Sequence, residues 1–311
     1  MVRRYNPLRK PLLSLSILAL CGCFFFLVLH YTPKSPLPTK QDPQVLYISP
    51  FKHNLKNVFL KAIQQAKNSI TLSTYTLSDS EIIQALKDAS KRDVSLQILT
   101  HYKGHERHLI TFPESVDVAF GETSGLMHEK ILVIDEQTIY FSTANMTTPS
   151  LCLHENMCIG IYDPRLSKLV ASEREDCIET EDLTFYRNPE VTSFLPYLSK
   201  AKSSIIGYVF TVTHPEIKKL LVGKWKSGIK TQVFFDHGKP VKGIPSEKHP
   251  FGPMLHHKCA LIDNSLFLLG STNWTKAAFS KNREFFIAIK LNNKNKILLD
   301  NYINSYHCTI P

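Results

Sequence analysis

Hydrophobic periodicity along this chain is written twice. Residues 59–82, "FLKAIQQAKNSITLSTYTLSDSEI", open on an amphipathic helical period, pass into a β-rich run and start a second helix. Residues 194–217, "FLPYLSKAKSSIIGYVFTVTHPEI", repeat that order without a gap. Phe59, Leu60, Ala66, Lys67, Ser69, Ile70, Thr76, Glu81 and Ile82 recur as Phe194, Leu195, Ala201, Lys202, Ser204, Ile205, Thr211, Glu216 and Ile217. Second helices ("SEIIQALKDASKR", "PEIKKLLVGKWKSG") and second strands ("VSLQILTH", "IKTQVFFDH") follow in both copies. The alternation predicts parallel strands joined by crossover helices, an α/β sandwich in each half. Between the copies, "DPRLSKLVASEREDCIETEDLTFYRNPE" is charged and predicts a connecting helix and linker, with the boundary near residue 180.

A long irregular stretch in each copy leads to a hairpin with polar ends, and such loops often carry function. "HEKILVIDEQTIYFSTAN" (128–145) and "HHKCALIDNSLFLLGSTN" (256–273) share one frame: His, any residue, Lys, four residues, Asp, six residues, then a small-residue turn ending in Asn. The first supplies His128, Lys130, Asp135, Ser142, Thr143 and Asn145; the second supplies His256, Lys258, Asp263, Gly270, Ser271 and Asn273. "ILVI" and "CALI" read as buried strands, "DEQ" and "DNS" as turns. His and Lys two apart on a strand face one side, and the return strand brings the hydroxyl and amide back beside them. A phosphodiester needs that kind of cover to accept a nucleophile. Lys130, Lys258, Asn145, Asn273, Thr143 and Ser271 can supply it, so no metal or other cofactor is required. One imidazole must be unprotonated to attack phosphorus while the other holds the proton for the leaving alcohol, which two separately tuned histidines can arrange.

Charge and composition change the picture mainly at the amino terminus. Six of the 37 basic residues lie in the first 40 positions, which hold no acid; the rest carry 31 basic against 27 acidic residues, a mild bias of +4. That excess suits any phosphate-bearing partner and identifies none. Residues 11–29, "PLLSLSILALCGCFFFLVL", form an uncharged apolar run that spans about 28 Å as a helix, close to one hydrocarbon core. Bulky residues follow it, which favours an uncleaved anchor over a signal peptide; cleavage would leave a secreted or periplasmic protein. The Arg/Lys flank stays cytoplasmic, placing the remainder on the other side of a membrane. The expected organisation is flank and anchor over 1–31, a Pro-rich tether over 32–44, and two halves over 45–180 and 181–311. Of seven cysteines, Cys152, Cys158, Cys177, Cys259 and Cys308 fall beyond the anchor without a CxxC pair, so zinc is not indicated and disulfide pairing cannot be read.

The paired motifs resemble the HKD signature of the phospholipase D superfamily over residues 45–311. The resemblance implies a duplicated α/β/α sandwich whose pseudo-twofold-related halves share one active site, complete in a monomer. Glu155 in "LHENMCIGI" and Glu284 in "KNREFFIAI" follow their motif asparagines by ten and eleven residues and match family glutamates that hydrogen-bond the catalytic imidazoles. By the same resemblance His128 is the nucleophile, forming a phosphohistidine, and His256 the general acid and then the base for the incoming water, an order that the near-symmetry of the two motifs leaves open to reversal, while Asp135 and Asp263 brace the two halves rather than touch substrate. The activity implied is hydrolysis of phospholipid headgroup esters. Phosphatidyl transfer of the cardiolipin synthase type, metal-independent nuclease activity and a non-catalytic membrane scaffold are the alternatives. Ser142 departs from the family's usual Gly, a concern if the backbone there needs φ > 0. "HYKGHERH" offers His101, His105 and His108 at metal-like spacing, but without a matching carboxylate it reads as a solvated loop. His257 should face away from His256, and Trp225 and Trp274 read as core.

Overall fold

The computed structural model describes residues 36–101, 112–121, 125–250 and 252–308, with side chains as far as Ser305. The apolar run 11–29 lies outside them. No described helix is long and apolar enough to cross a membrane.

The first repeat folds as its periodicity demands. Helix α1 (Leu55–Gln65) buries Leu55, Val58, Phe59, Ala62 and Ile63, one face of a 3.6-residue period. Helix α2 (Ser80–Ser90) buries Ile82, Ile83, Ala85, Leu86 and Ala89, and its start is fixed by Asp79, whose carboxylate accepts from the Glu81 and Ile82 amides. The strands are β1 (Gln44–Ser49), β2 (Ser69–Thr74), β3 (Ser95–Thr100), β4 (Asp117–Phe120), β5 (Lys130–Ile134), β6 (Thr138–Ser142) and β7 (Asn156–Tyr162), in the order β1-β7-β6-β5-β2-β3-β4. α2 carries β2 over to a parallel β3, as expected, whereas β5, β6, β7 and β1 run antiparallel, so the sheet is mixed.

The second repeat builds the same sheet from β9 (Leu183–Arg187), β10 (Ser204–Val209), β11 (Lys230–Phe235), β12 (Ser246–Lys248), β13 (Lys258–Ile262), β14 (Leu266–Gly270) and β15 (Phe285–Lys290). Its order, β12-β11-β10-β13-β14-β15-β9, is extended by β8 (Cys177–Glu179). The stretch between the copies therefore gives more than a linker. It forms helix α4 (Pro164–Ser172), the third helix α3 (Thr148–Cys152) lying earlier, and then the edge hairpin β8–β9. Leu183, Phe185 and Arg187 alternate inward there, a pattern the surrounding charges obscure.

The layers run helix, sheet, inner layer, sheet, helix: in the inner layer α4 packs on β5 and β6 and the carboxy-terminal helix Asn293–Cys308 on β1, beside direct contact of the two sheets. α1 and α2 cover one face of the first sheet, while α5 (Val191–Ser199) and α6 (Pro215–Lys226) cover the far face of the second. The inner faces meet in a shared core in which Ile131, Phe141 and Ile159 join Cys259, Phe267 and Phe285, with Leu299 and Tyr302 of α7 (Asn293–Cys308) at its border. The inner face of each sheet is apolar, and burying the two together with α4 and α7 removes them from water. Trp274 is core, packed on Phe194 and over Gly207, where a Cβ would meet the indole at 2.9 Å. Trp225 is 42% exposed, contrary to the core reading, because α6 buries only Ile217 and Leu221. The tether is docked by its end: Pro38 is buried against Gly160, and the Tyr47 hydroxyl donates to the Pro36 carbonyl. Cys152, Cys158, Cys177 and Cys259 are free thiols.

Candidate active site

Both motif hairpins turn on two residues with positive φ, Asp135 and Glu136 (55° and 51°) and Asp263 and Asn264 (51° and 51°). Such turns match the twist of the flanking strands. The residues leading into each hairpin then cross to the other half. Met127 bridges Arg283 and Leu255 bridges Glu155. The His128 amide donates to the Arg283 carbonyl (2.8 Å) and the His256 amide to the Glu155 carbonyl (2.9 Å). These crossed latches fix both histidines at the seam.

Each imidazole is braced by a side chain of the opposite half. His128 Nδ1 lies 2.9 Å from Glu284 Oε2, and His256 Nδ1 lies 3.0 Å from Asn156 Oδ1. Behind these braces sit the motif hydroxyls: Ser271 Oγ donates to Glu284 and accepts from the Phe285 amide, while Thr143 Oγ1 donates to Asn156 and accepts from the Met157 amide. Lys130 Nζ donates to the His128 carbonyl and lies over the Tyr75 ring; Lys258 Nζ donates to the His256 carbonyl and lies over the Phe210 ring. Tyr75 and Phe210 also flank the imidazoles, at 5.3 Å from His128 and 5.9 Å from His256.

Burial sets the electrostatics. It pushes Lys130 down to about 7, against the pull of Glu284 and Glu129, and holds Lys258, beside Lys130, well below the ordinary lysine range. Burial likewise lowers His128, with Glu284 pulling it back up and Lys130 pushing it further down. His256 is driven well down by burial and then by Lys258, Lys130, His128 and His154. The crossed latches bring both motifs to one seam, where Lys130 and Lys258 each act on both imidazoles. An arriving phosphodiester anion would find two neutral-leaning imidazoles and two lysines whose protonated forms it stabilises.

The family described as "Cardiolipin synthase, PLD-like domain" matches residues 59–177 and 241–305, more than half of the chain. The chain belongs to the phospholipase D superfamily. It is 31% identical over 142 residues to the minor cardiolipin synthase ClsB of Bacillus subtilis (strain 168), covering 42% of this chain and 36% of that protein. It is 27% identical over 192 residues to cardiolipin synthase 1 of Staphylococcus aureus (strain COL), covering 57% and 39%. The matches thus span well under half the length of these curated relatives. Phosphatidylserine synthase from Haemophilus influenzae Rd KW20 shares the fold, with a TM-score of 0.67 at 12% identity over 88% of this chain and 87% of that one.

Within this phospholipase D-type site the structure relocates several residues expected from the sequence. Glu155 reaches neither His128 nor His256; of the second motif it meets only the His257 imidazole, at 3.9 Å. Its carboxylate accepts from Tyr302 Oη (3.0 Å) and pairs with His249 at 3.6 Å. Adjacent residues of an extended chain point to opposite faces, so Asn156 takes the position equivalent to Glu284. Both lie 28 residues after their histidines; counting from the histidine instead of the asparagine would have found it. His257 faces away from His256, as expected, with Nε2 2.9 Å from Tyr302 Oη.

Thr143 and Ser271 are fully buried and spent on the braces, so they do not face a phosphate. At Asn145 and Asn273 only the Nδ2 could donate to a phosphate oxygen; the Oδ1 of each, an acceptor, is buried without a hydrogen-bond partner among the described residues. Ser142 needs no positive φ. The close contact is at Gly270, where a Cβ would meet the Phe285 carbonyl at 2.3 Å, whereas Ser142 Oγ accepts from the Ala144 amide. His101 packs beside Tyr75; His105 and His108 lie outside the described residues.

Asp135 and Asp263 do not brace one half against the other. Asp135 accepts from the Lys67, Asn68 and Ser69 amides, and Asp263 from those of Lys202, Ser203 and Ser204. Each ties its hairpin to the "AKNSI" or "AKSSI" turn of its own half. Burial opposes ionisation of Asp263, but the Ser204, Ser203 and Lys202 amides outweigh it and hold the carboxyl at about 2. Asp263→Ala is expected to cost about 1–2 kcal/mol in urea denaturation at pH 7. The folded value lies below the ordinary aspartate value of about 3.9, so the contribution is complete above that pH and lost as pH falls through about 2. The wild-type and variant curves should converge in acid; a constant gap from pH 7 to pH 2 would contradict this origin.

Proposed function

We propose that this chain transfers a phosphatidyl group between alcohols at a lipid surface, in the manner named by its cardiolipin synthase relatives. The supporting observation is the single site in which two imidazoles, each braced from the opposite half, share two buried lysines. Attack by one imidazole on a phospholipid phosphorus expels the headgroup alcohol, which takes a proton from the other imidazole. In the second step an acceptor hydroxyl gives that proton back as its oxygen displaces the histidine. A hydroxyl of a second phospholipid makes the net reaction a transfer; water makes it the hydrolysis inferred first from sequence. The relatives favour transfer, and the aromatic rings of Tyr75 and Phe210 beside the imidazoles give the acceptor alcohol a partly apolar approach. The run 11–29 would hold the site at its substrate.

The full chain in mixed micelles with phosphatidylglycerol is expected to yield cardiolipin and free glycerol, followed by chromatography of the lipid products. Phosphatidic acid as the sole lipid product would return the assignment to hydrolysis. Cleavage of single-stranded DNA, with no lipid product at all, would replace it with nuclease activity.

A further inference from the structure

The flanks of the two imidazoles carry different chemistry. We propose that Asp236 and His154 form a subsite for a polyol headgroup on the His256 side, holding the departing glycerol in the first step and the accepting glycerol in the second. The inference rests on the transfer reaction proposed above and names the group that the site selects.

Strand register shows what stands where Asp236 stands. Ser69 pairs with Ser95 and Ser204 with Lys230, so His101, which follows β3, and Asp236, which follows β11, hold equivalent positions. Each accepts from the amide that precedes a motif histidine: Met127 donates to His101 Nδ1 at 3.4 Å, Leu255 to Asp236 Oδ2 at 2.8 Å. An imidazole does this task in the first half, so the task alone does not call for a carboxylate in the second. Oδ1 of Asp236 has no hydrogen-bond partner among the described residues. His154 lies two residues before Asn156, where the other half has Asn282 before Glu284. Its ring is 6.1 Å from that of His256, and Phe210 is 5.9 Å from the same imidazole. The Asp236 amide donates to the Phe210 carbonyl, which joins the carboxylate to this flank. Asp236 and His154 are both half-buried. Burial lowers His154 and Lys258, and Asp236 is among the groups that pull both back up, so its charge reaches the space beside His256.

A carboxylate near a site for a phosphodiester anion repels the substrate unless the substrate brings donors to it. The diacylglycerol side of a phospholipid offers ester oxygens, which only accept. A glycerol headgroup offers hydroxyls beyond the one esterified to phosphorus, and a carboxylate accepts from them. The headgroup therefore belongs on the Asp236 flank, where the order implied by the family resemblance also puts it. Attack and departure lie on opposite sides of phosphorus, so the second alcohol enters where the first one left. Between two phosphatidylglycerols both alcohols are glycerol, and one subsite serves both steps. In the first, the P–O bond to the headgroup breaks as the P–N bond forms, and the departing oxygen takes a proton from the second imidazole. In the second, a hydroxyl of the held glycerol returns that proton as its oxygen bonds to phosphorus and the P–N bond breaks. A remaining hydroxyl donates to Asp236 Oδ1, and His154, with one donor and one acceptor nitrogen, can meet another. Water brings no such second hydroxyl, so the subsite favours transfer over hydrolysis.

Partition of the covalent intermediate tests the subsite separately from the first step. The full chain in mixed micelles with phosphatidylglycerol is given deuterated glycerol, ethanol and ethanolamine at equal concentration, and the lipid products are read by mass spectrometry. Wild type should form deuterated phosphatidylglycerol in about tenfold excess over phosphatidylethanol. Asp236→Asn, which keeps an oxygen for the Leu255 amide, should lose most of that excess, and His154→Ala should lower it in the same direction. No excess in wild type, an unchanged ratio in Asp236→Asn, or a preference for ethanolamine overturns the polyol subsite and leaves transfer standing. Phosphatidic acid as the sole new lipid in wild type overturns transfer itself, and the subsite with it.

Discussion

Alanine at His128 or at His256 is expected to lower phosphatidyl transfer by about 10³-fold or more, since each removes either the attacking nitrogen or the proton transfer. The double variant should be no slower than the slower single one, because neither imidazole has a task once the other is gone. Both side chains sit at the end of a crossed latch made by backbone groups, which alanine preserves, so melting temperatures should move by only a few degrees. Steady-state rates beside thermal melts separate the two readouts. Retention of a tenth of wild-type turnover by either single variant would remove the paired-imidazole mechanism.

The largest effect on stability should come from a residue that touches no substrate. Glu129 lies between His128 and Lys130 on the opposite face of the chain, fully buried, with Arg187 Nε at 2.9 Å and Arg283 Nε at 3.2 Å. Burial pushes its carboxyl up while the two guanidinium groups pull it back down. Arg187, itself buried, also donates to the Val170 carbonyl. Arg187→Ala leaves the buried Glu129 carboxylate with Arg283 as its remaining guanidinium partner and is expected to cost about 3 kcal/mol. Pairing Glu129→Gln with Arg187→Met removes both charges and should recover more than half of that loss. Urea unfolding decides it: a single-variant cost below about 1 kcal/mol would mean that solvent already relieves the pair.

The repeat made much of this architecture readable. Matched periods over 59–82 and 194–217 carried the crossover helices and the parallel pairs β2–β3 and β10–β11, and the shared motif frame carried both hairpins. The errors have physical causes. The expected sandwich is present, but the sequence of one half cannot state how much of its inner face is covered by its own helix α4 and how much by the sheet of the other half. β8–β9 was hidden by surrounding charges, and its short alternation is legible only once Phe185 is known to point inward. Glu155 stands one residue before Asn156, and on an extended chain a shift of one residue reverses the face, so the match to the family glutamates falls on the neighbour of the residue that meets His256. Thr143, Ser271, Asp135 and Asp263 were identified as polar residues of the motif, but which polar group each meets depends on atoms more than ten residues away.

The covalent joining of the two copies has a consequence for how such a centre can change. In an assembly of two identical subunits, any substitution appears at both symmetry-related positions, so a carboxylate on one side of the axis dictates a carboxylate on the other. Fusion lifts that constraint: one copy can hold Glu284 while its counterpart holds Asn156. Specialisation of each flank for one proton state is therefore open to a tandem polypeptide and closed to a homodimer.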